Sequence, residues 1–398
     1  MTFPPVVPSI ASLYYCKLKD STGQTTAIFD DWITLRVKRQ INGICDYVFK
    51  FNGLDLRKEL FHVNDRFEVY RSVPDCGLDY YREFEGLHET QRRSIESSGI
   101  RIFTSEGVGL NGLLPRRDIA YNAGTIGAEK SAPAETVMKE YVNENCGGGA
   151  TVIGGRYFDC SGVTYEIPGN MSDFYIDTDQ GRGITWEGTR AFNNLMDVLK
   201  DISEFALMDF QIVSYGDAGV LFKVYPDQIG VDRTATNVSP ITGLNGAGNP
   251  PVIFSIDNGT VESIEYVLDH RAESNVAIVP GSGDGSTQDV VAVFDDTRID
   301  GRRWNQREVV RPGGGNEFCF EWEDLGEEVL AENQPVNLVN FVPLQQYSQL
   351  YGKHYFLGDR VTAKIDGIVS HQRLMEVEII VEAGGGEQIN LTFAQMRV

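Results

Sequence analysis

Residues 33–51 read ITLRVKRQINGICDYVFKF, and this stretch decides the class of the fold. Apolar side chains alternate with polar ones on both sides of Asn42-Gly43, namely Ile33, Leu35 and Val37 before it and Cys45, Tyr47, Phe49 and Phe51 after it. A period of two is typical of a strand with one buried face, and Asn-Gly tolerates the positive φ angles of a tight turn. The stretch therefore predicts a β-hairpin.

Similar patterns continue along the chain. Short segments rich in aromatic and β-branched residues predict further strands at 66–72, 81–87, 100–105, 210–215, 220–225, 261–268, 276–279, 289–294, 360–365, 375–381 and 388–393. Apolar residues at helical spacing predict helices at 133–145 and 189–207, the second capped by Thr189, and a third at 321–333 that contains Gly326. The predicted class is a β-rich α+β protein with a helix-containing middle.

Length and charge limit the possible functions. A chain of 398 residues is long enough for several domains. It carries 35 basic and 57 acidic residues, a formal net charge of −22. Such a surface repels nucleic acid and anionic membranes, so neither is expected as a tightly bound partner. The charge serves either solubility or an acidic lumen along which DNA slides without sticking.

Targeting and cysteine signals point to assembly inside a cell. No stretch approaches the roughly 18 consecutive apolar residues of a membrane span, and the first residues lack the pattern of a signal peptide. The six cysteines are widely and irregularly spaced, without a C-x-x-C pair, at positions Cys16, Cys45, Cys76, Cys146, Cys160 and Cys319. We expect free, mostly buried thiols rather than a metal site.

Catalytic motifs are incomplete wherever they begin. His88-Glu89-Thr90-Gln91-Arg92 starts like a zinc-protease motif, but Arg92 stands where the second His is needed. The acidic stretch around Asp177 and Asp179 lacks the glycine and the final glutamate of a calcium loop. Gly281–Gly285 leads towards a strand and not into a helix N-terminus, so it does not match a phosphate loop. No catalytic, cofactor-binding or metal residue is predicted, and no cofactor.

Carboxylate pairs keep glycoside hydrolysis open as an alternative. Glu85 with Glu89 and Asp295 with Asp296 are candidates, because a glycosidase needs only two carboxylates at the right separation. The five histidines, His62, His88, His270, His354 and His371, form no recognisable constellation.

A basic segment precedes an acidic one almost directly. The basic residues are Arg298, Arg302, Arg303, Arg307 and Arg311, and the acidic ones are Glu321, Glu323, Asp324, Glu327 and Glu328. Opposite charges at two edges suit head-to-tail contacts between identical subunits, so these residues are the candidate subunit interface. Pairing within one subunit is the alternative.

The sequence resembles the tail hub, or baseplate-hub-like, proteins of tailed phages, especially siphophage tail-tip components. The segments that carry the resemblance are 31–39 with Asn42-Gly43, 84–87, 107–117, the helices at 133–145 and 189–207, and 355–361 leading into 375–381. The resemblance covers roughly the whole chain, and its motifs are loose.

The resemblance implies β-barrel domains related to tail-tube proteins. The implied division is an N-terminal barrel-like domain at 1–125, a helix-containing domain at 126–210, a mixed α/β domain at 211–345 and a C-terminal β segment at 346–398 that closes a barrel. It also implies a homo-oligomeric ring, commonly a trimer, that joins the tail tube or distal tail protein to the tail tip. The ring centre would be a channel for DNA and the tape-measure protein, and the location the virion tail.

Two alternatives remain. One is a carbohydrate-binding or glycan-hydrolysing tail protein, in which Trp186, Trp304 and Trp322 stack on sugars from the surface. The other is the equivalent hub of a cellular injection machine built from phage-like parts.

Overall fold

The computed structural model describes residues 12–121, 125–151, 155–283, 285–299, 301, 304–313, 319–384 and 386–395. The strands in these ranges are, in chain order, β1 (Leu13–Lys19), β2 (Thr25–Phe29), β3 (Thr34–Gln40), β4 (Asp46–Asn52), β5 (Arg66–Val73), β6 (Leu78–Ile95), β7 (Arg101–Gly109), β8 (Ala128–Pro133), β9 (Tyr157–Cys160), β10 (Val163–Glu166), β11 (Phe174–Ile176), β12 (Thr185–Arg190), β13 (Asp209–Tyr215), β14 (Gly219–Tyr225), β15 (Ile253–Ser255), β16 (Val261–Asp269), β17 (Val276–Pro280), β18 (Val290–Phe294), β19 (Glu308–Val310), β20 (Val336–Pro343), β21 (Arg360–Ile365), β22 (Ile368–Glu382) and β23 (Glu387–Gln395). The α-helices are α1 (Ala134–Asn145), α2 (Leu195–Ala206), α3 (Asp296–Ile299) and α4 (Cys319–Glu332). The abundance of strands confirms the predicted β-rich α+β class.

The chain divides into two compact units. The first contains residues 1–261, 342–362 and 371–398, and the second contains 262–341 and 363–370. The four-part division predicted from the sequence stays a prediction.

The first unit is organised by a large sheet with the order β15-β21-β22-β3-β4-β7-β6-β5-β1-β2, and β23 also pairs with β22. The predicted hairpin is confirmed as β3 and β4, with Thr34 opposite Lys50 and Lys38 opposite Asp46. At the turn Asn42 has a φ of +50°, a conformation that Asn adopts more readily than most residues. Strands from the two ends of the chain therefore lie in one sheet.

Aromatic residues fill the core beneath this sheet. The buried rings are Phe29, Phe49, Phe51, Phe61, Phe67 and Phe103. Neighbouring ring centroids in this group lie between 5.0 and 6.4 Å apart. Each fully buried ring contributes about 1.5–3 kcal/mol relative to an exposed one. The alternation that predicted the hairpin directs Phe49 and Phe51 into this core.

A second core in the same unit brings the helices against β13 and β14. In α1, Val137, Met138 and Tyr141 are fully buried, as the helical spacing predicts. These side chains pack with Leu199 of α2 and with the strand residues of the same core.

The predicted start of α2 is wrong. The helix begins at Leu195, and Asn194 is the N-cap whose side chain accepts a hydrogen bond from the Met196 amide at 3.2 Å. Thr189 lies instead in β12, opposite Glu129 of β8. Pairing with β8 satisfies the backbone groups of this segment, so the helix starts only after it ends.

The second unit contains a small sheet, β18-β17-β19, covered by α4. Gly326 allows the helix to approach closely, because a Cβ there would lie 2.5 Å from Val293 Cγ2. The glycine that weakens the helical pattern is thus explained by packing. No helix in the described ranges is long and apolar enough to cross a membrane.

Candidate subunit interface and buried polar network

Arg298 of the predicted interface makes its contacts inside the second unit. Its Nε donates to Asp295 Oδ2 at 2.6 Å, and its Nη2 donates to the Leu330 carbonyl at 2.9 Å. The second contact places a cation at the C-terminal end of α4, where carbonyl groups lack helical partners. Arg298 is 16% exposed. Its contacts therefore favour pairing within one subunit, which is the alternative that the sequence left open.

The remaining predicted interface residues divide by exposure. Glu323, Asp324, Glu327, Glu328 and Arg311 are exposed. Arg307 is 36% exposed and lies 3.9 Å from the buried Glu273. Arg302, Arg303 and the Glu321 side chain lie outside the described residues. The acids form the solvated face of α4, and their role in an interface stays a prediction.

Glu273 is a residue that the sequence analysis missed. Its carboxylate is 2% exposed and faces Arg298 at 3.8 Å and Arg307 at 3.9 Å, while His270 Nδ1 lies at 2.7 Å. Glu273 could not be identified from clusters of acidic residues in the sequence, because it lies apart from the acidic segment. Its position in the fold makes it the shared partner of the basic segment.

The predicted surface tryptophans are wrong in two of three cases. Trp186 is 6% exposed and meets Tyr141 edge-on at 6.0 Å between ring centroids. Trp322 is 2% exposed and packs where Gly281 and Gly313 leave room for its ring. Trp304, in contrast, is 87% exposed. A platform of three sugar-stacking tryptophans therefore does not form.

The candidate carboxylate pairs have cationic partners. Glu85 Oε2 lies 3.0 Å from Arg82 Nη1, and Glu89 Oε1 lies 2.7 Å from Arg116 Nη2. Hydrogen bonds from Thr297 and Arg298 lower the pKa of Asp295 to about 2. Carboxylates paired with cations are typical of structural ion pairs, and the lowered pKa of Asp295 is the opposite of what a glycosidase acid needs.

His88 is a core residue of the large sheet. Its Nδ1 lies 2.8 Å from Ser105 Oγ, and its ring meets Phe61 at 5.2 Å. Burial lowers the pKa of His88. Across the ranges that the structure describes, no group of three or more His, Cys, Asp or Glu side chains has a metal-binding arrangement.

A buried polar network joins β1 and β5 to β23 in the first unit. Arg71 of β5 is fully buried and donates to both oxygens of Glu387, at 2.7 Å from Nε and 3.1 Å from Nη2. The Tyr14 hydroxyl also donates to Glu387. Burial, and then the Glu387 charge, raise the pKa of Tyr14. These side chains link β23 to strands at the other end of the sheet order.

A second cluster of buried polar groups lies around Glu83. Its carboxylate accepts from Arg39 Nη1 at 2.8 Å and from the Tyr351 hydroxyl at 2.9 Å. The Tyr351 carbonyl in turn accepts from Arg71 Nη1 at 3.0 Å, which connects this cluster to the first. The partners are between 44 and 280 residues apart in sequence, so no local motif could reveal them.

Comparisons with known proteins place this architecture among phage tail proteins. The model of the family described as Siphovirus ReqiPepy6 Gp37-like protein matches residues 81–393. The fold is similar to that of the 43 kDa tail protein of prophage MuSo2 from Shewanella oneidensis, with a TM-score of 0.57 and 9% identity over 97% of this chain and 98% of that one. It is also similar to a tail protein from Neisseria meningitidis MC58, with a TM-score of 0.50 and 12% identity over 96% of each chain.

A chain of the PdpA–VgrG complex is similar as well, with a TM-score of 0.50 and 9% identity over 96% of this chain and 62% of that one. No curated protein matches the sequence. The fold is thus that of structural phage tail proteins. The chain belongs to the Siphovirus ReqiPepy6 Gp37-like family, which confirms the resemblance to phage tail proteins seen in the sequence.

Proposed function

We propose that this phage tail protein is a hub of the tail, with a structural and not an enzymatic role. It assembles as a homotrimeric ring that joins the tail tube or distal tail protein to the tail-tip or fibre proteins. The ring encloses a channel through which DNA and the tape-measure protein pass. The chain is therefore located in the virion tail and assembled in the host cytoplasm.

The observation that carries this proposal is the fold. The chain is similar over nearly its whole length to two tail proteins, one of them from a prophage, and to a chain of a complex that contains VgrG. A fold shared by proteins of several tail-like assemblies favours a role in building the assembly. Fold similarity alone does not assign a site, so the ring needs a direct test.

The charge distribution supports the same proposal. A net charge of −22 suits a channel wall that DNA passes without binding. The exposed acids of α4 and the exposed Arg311 offer opposite charges for a head-to-tail contact.

The experiment is light scattering on the purified chain at low and high salt, with negative-stain imaging of the same samples. A closed trimer with a central hole is expected at low salt, and dissociation at high salt would point to charged interfaces. A monomer under both conditions, and also in the presence of the distal tail protein, contradicts the ring.

Charge reversal tests the predicted interface. Glu323→Lys combined with Glu327→Lys is expected to shift the mass from trimer towards monomer at low salt, because it places like charges at the contact. The matched control is Asp217→Lys with Asp257→Lys, which makes the same charge change at two exposed acids elsewhere. Equal effects of the two double variants on the mass would mean that the acids of α4 are not part of the interface.

A further inference from the structure

A crevice of about 410 Å³ lies in the first unit, beside the second core. Arg117 and Arg156 line it, and Phe158, Ile167 and Phe192 are among the apolar residues of its walls. Its size is within the range of small-ligand and peptide side-chain pockets. With Arg116, three arginines line this small space in a chain whose net charge is −22.

Backbone and amide oxygens hold both guanidinium groups in place. Arg156 Nε donates to the Ile167 carbonyl at 2.8 Å, and its Nη1 donates to Asn145 Oδ1 at 2.8 Å. Arg117 Nε donates to the Gly169 carbonyl at 3.1 Å, and its Nη1 donates to the Arg116 carbonyl at 3.0 Å. Each guanidinium is therefore positioned through two of its nitrogens, and among the described residues neither Nη2 donates to a protein acceptor, so both can contact a ligand.

Neither arginine has a close ion pair in the part of the chain that the structure describes. Among the described residues, no carboxylate lies within ion-pair distance of Arg117 or Arg156, although most other arginines described have one. The carboxylate of Asp118, which also lines the crevice, accepts a hydrogen bond from Asn194 Nδ2 at 3.2 Å. Arg116, at the rim, is already paired with Glu89. Among the described residues that line the crevice, Asp118 is the one acid beside three arginines, so the described wall carries a net positive charge.

The two charges lie close together and are costly to bury. Arg156 is 8% exposed, and a Cβ on Gly169 would lie 2.6 Å from its Nε. Burial, and then the nearby charge of Arg117, lower the pKa of Arg156. Burial also raises the pKa of the Cys146 thiol behind them to about 12, so that thiol supplies no anion at neutral pH. An incoming anion would relieve this repulsion.

The rim of the crevice presents an exposed aromatic group. Phe192 is 59% exposed, and its ring makes tilted contacts with Phe158 at 5.7 Å and with Tyr121 at 5.1 Å between ring centroids. Its φ is +57°, a left-handed conformation that is strained for a residue with a Cβ. The Phe192 amide donates to the Ile119 carbonyl at 3.0 Å, which holds the ring at the crevice. Such strain is common where a ligand is clamped.

We propose that this crevice binds an acidic segment of a neighbouring tail protein, with a carboxylate on Arg117 and Arg156 and an adjacent apolar side chain on Phe192. We choose an acidic protein segment as the ligand because of charge complementarity. Forked guanidinium groups bind carboxylates, and the apolar walls suit the rest of a protein segment. The site does not depend on the trimeric ring, so it can be tested on the chain in any oligomeric state.

The test measures fluorescence anisotropy of a short labelled peptide of Asp, Glu and Leu with the full chain. Saturable binding is expected, and the matched peptide of Asn, Gln and Leu is expected not to bind. Arg117→Gln should weaken binding by about tenfold to a hundredfold, since it removes hydrogen bonds to a charged group. Phe192→Ala should weaken it by a smaller factor, and Arg117→Lys should lie between the wild type and Arg117→Gln.

Arg92→Gln is the matched control, because it removes the same charge from an exposed residue of β6 that is paired with Glu106. It should bind the peptide as the wild type does, and a circular dichroism melt of each variant confirms folding. Equal loss in Arg92→Gln and Arg117→Gln would mean general charge attraction and would overturn the site. Equal binding of the uncharged peptide, or displacement by inorganic phosphate at the same concentration as the acidic peptide, would overturn the assignment to a protein carboxylate.

Discussion

Arg71 shows how one buried charge can join distant parts of the chain. Its guanidinium is fully buried, and its partner Glu387 is 12% exposed. Taking both charges out of water is costly, and the cost is offset only while each has its partners. Further partners are the hydroxyls of Tyr14, Tyr81 and Ser12 and the carbonyl of Tyr351.

Replacing Arg71 by Met should lower the free energy of unfolding by about 3–5 kcal/mol, because it leaves the Glu387 carboxylate without its cation. Urea denaturation measures the change. The double variant Arg71→Met with Glu387→Leu should lose less than the sum of the single changes. Arg93→Met, which breaks the half-exposed pair with Glu59, is the control and should cost less than about 1 kcal/mol.

Glu135 makes stability depend on pH. Its buried carboxylate accepts from Lys139 Nζ at 2.6 Å and from Arg182 Nε at 2.8 Å. Burial opposes ionisation, but the hydrogen bonds from Arg182 and Lys139 outweigh it and lower the pKa of Glu135 from 4.5 to about 2. Because the folded-state pKa is the lower one, the stabilisation is complete above about pH 4.5 and is lost as the pH falls towards about 2.

Glu135→Gln should therefore lower stability at neutral pH, by at most about 3 kcal/mol, and flatten the acid side of the stability profile. Urea unfolding between about pH 6 and about pH 3 measures both effects. Glu187→Gln, at an exposed carboxylate, should leave the slope unchanged. An acid slope in Glu135→Gln as steep as in the wild type would assign the pH dependence to other groups.

At the scale of elements, the position at which α2 starts can be tested by substitution. Asn194 caps it through the Met196 amide and also donates to the Pro115 carbonyl at 2.9 Å. Asn194→Ala should cost about 1–2 kcal/mol through loss of the cap. Thr189→Ala, at the start that the sequence predicts, should cost less than about 0.5 kcal/mol because Thr189 is exposed in β12. Thermal melts measure the stability of both variants. A larger loss in Thr189→Ala than in Asn194→Ala would support a helix start at Thr189.

In α4, packing and helix propensity oppose each other at Gly326. Alanine favours a helix by about 1 kcal/mol over glycine, but its Cβ would meet Val293 Cγ2 at 2.5 Å. Gly326→Ala should therefore lower the melting temperature. Adding Val293→Ala makes room, so the double variant should be more stable than the sum of the two single changes predicts. Additive changes would mean that the helix and the sheet do not touch at this point.

At the scale of the whole molecule, the longer segment of the second unit, residues 262–341, can be replaced between two points of the first unit that lie close together. The Leu344 amide donates to the Thr260 carbonyl at 2.9 Å, so the two cut ends are close. Replacing residues 262–341 by a short Gly-Ser linker should leave the first unit folded, because the replaced segment contains none of the strands of the large sheet. Cooperative unfolding followed by near-ultraviolet circular dichroism measures this, and loss of the transition would contradict it.

The sequence alone determined the local elements and the class of protein. The hairpin of β3 and β4, helix α1 and most of the strands follow from spacing and turn residues, because side-chain period and backbone geometry are local properties. The phage tail resemblance was visible in segments spread along the chain, and the family match confirms it.

Tertiary structure decided which residues meet. It buried Trp186 and Trp322, paired Arg298 within its own unit and moved the start of α2 to Leu195. It also joined Arg71 to Glu387 and brought Arg117 beside Arg156. Burial and ion pairing depend on contacts between distant segments, and no local pattern of residue types encodes those contacts.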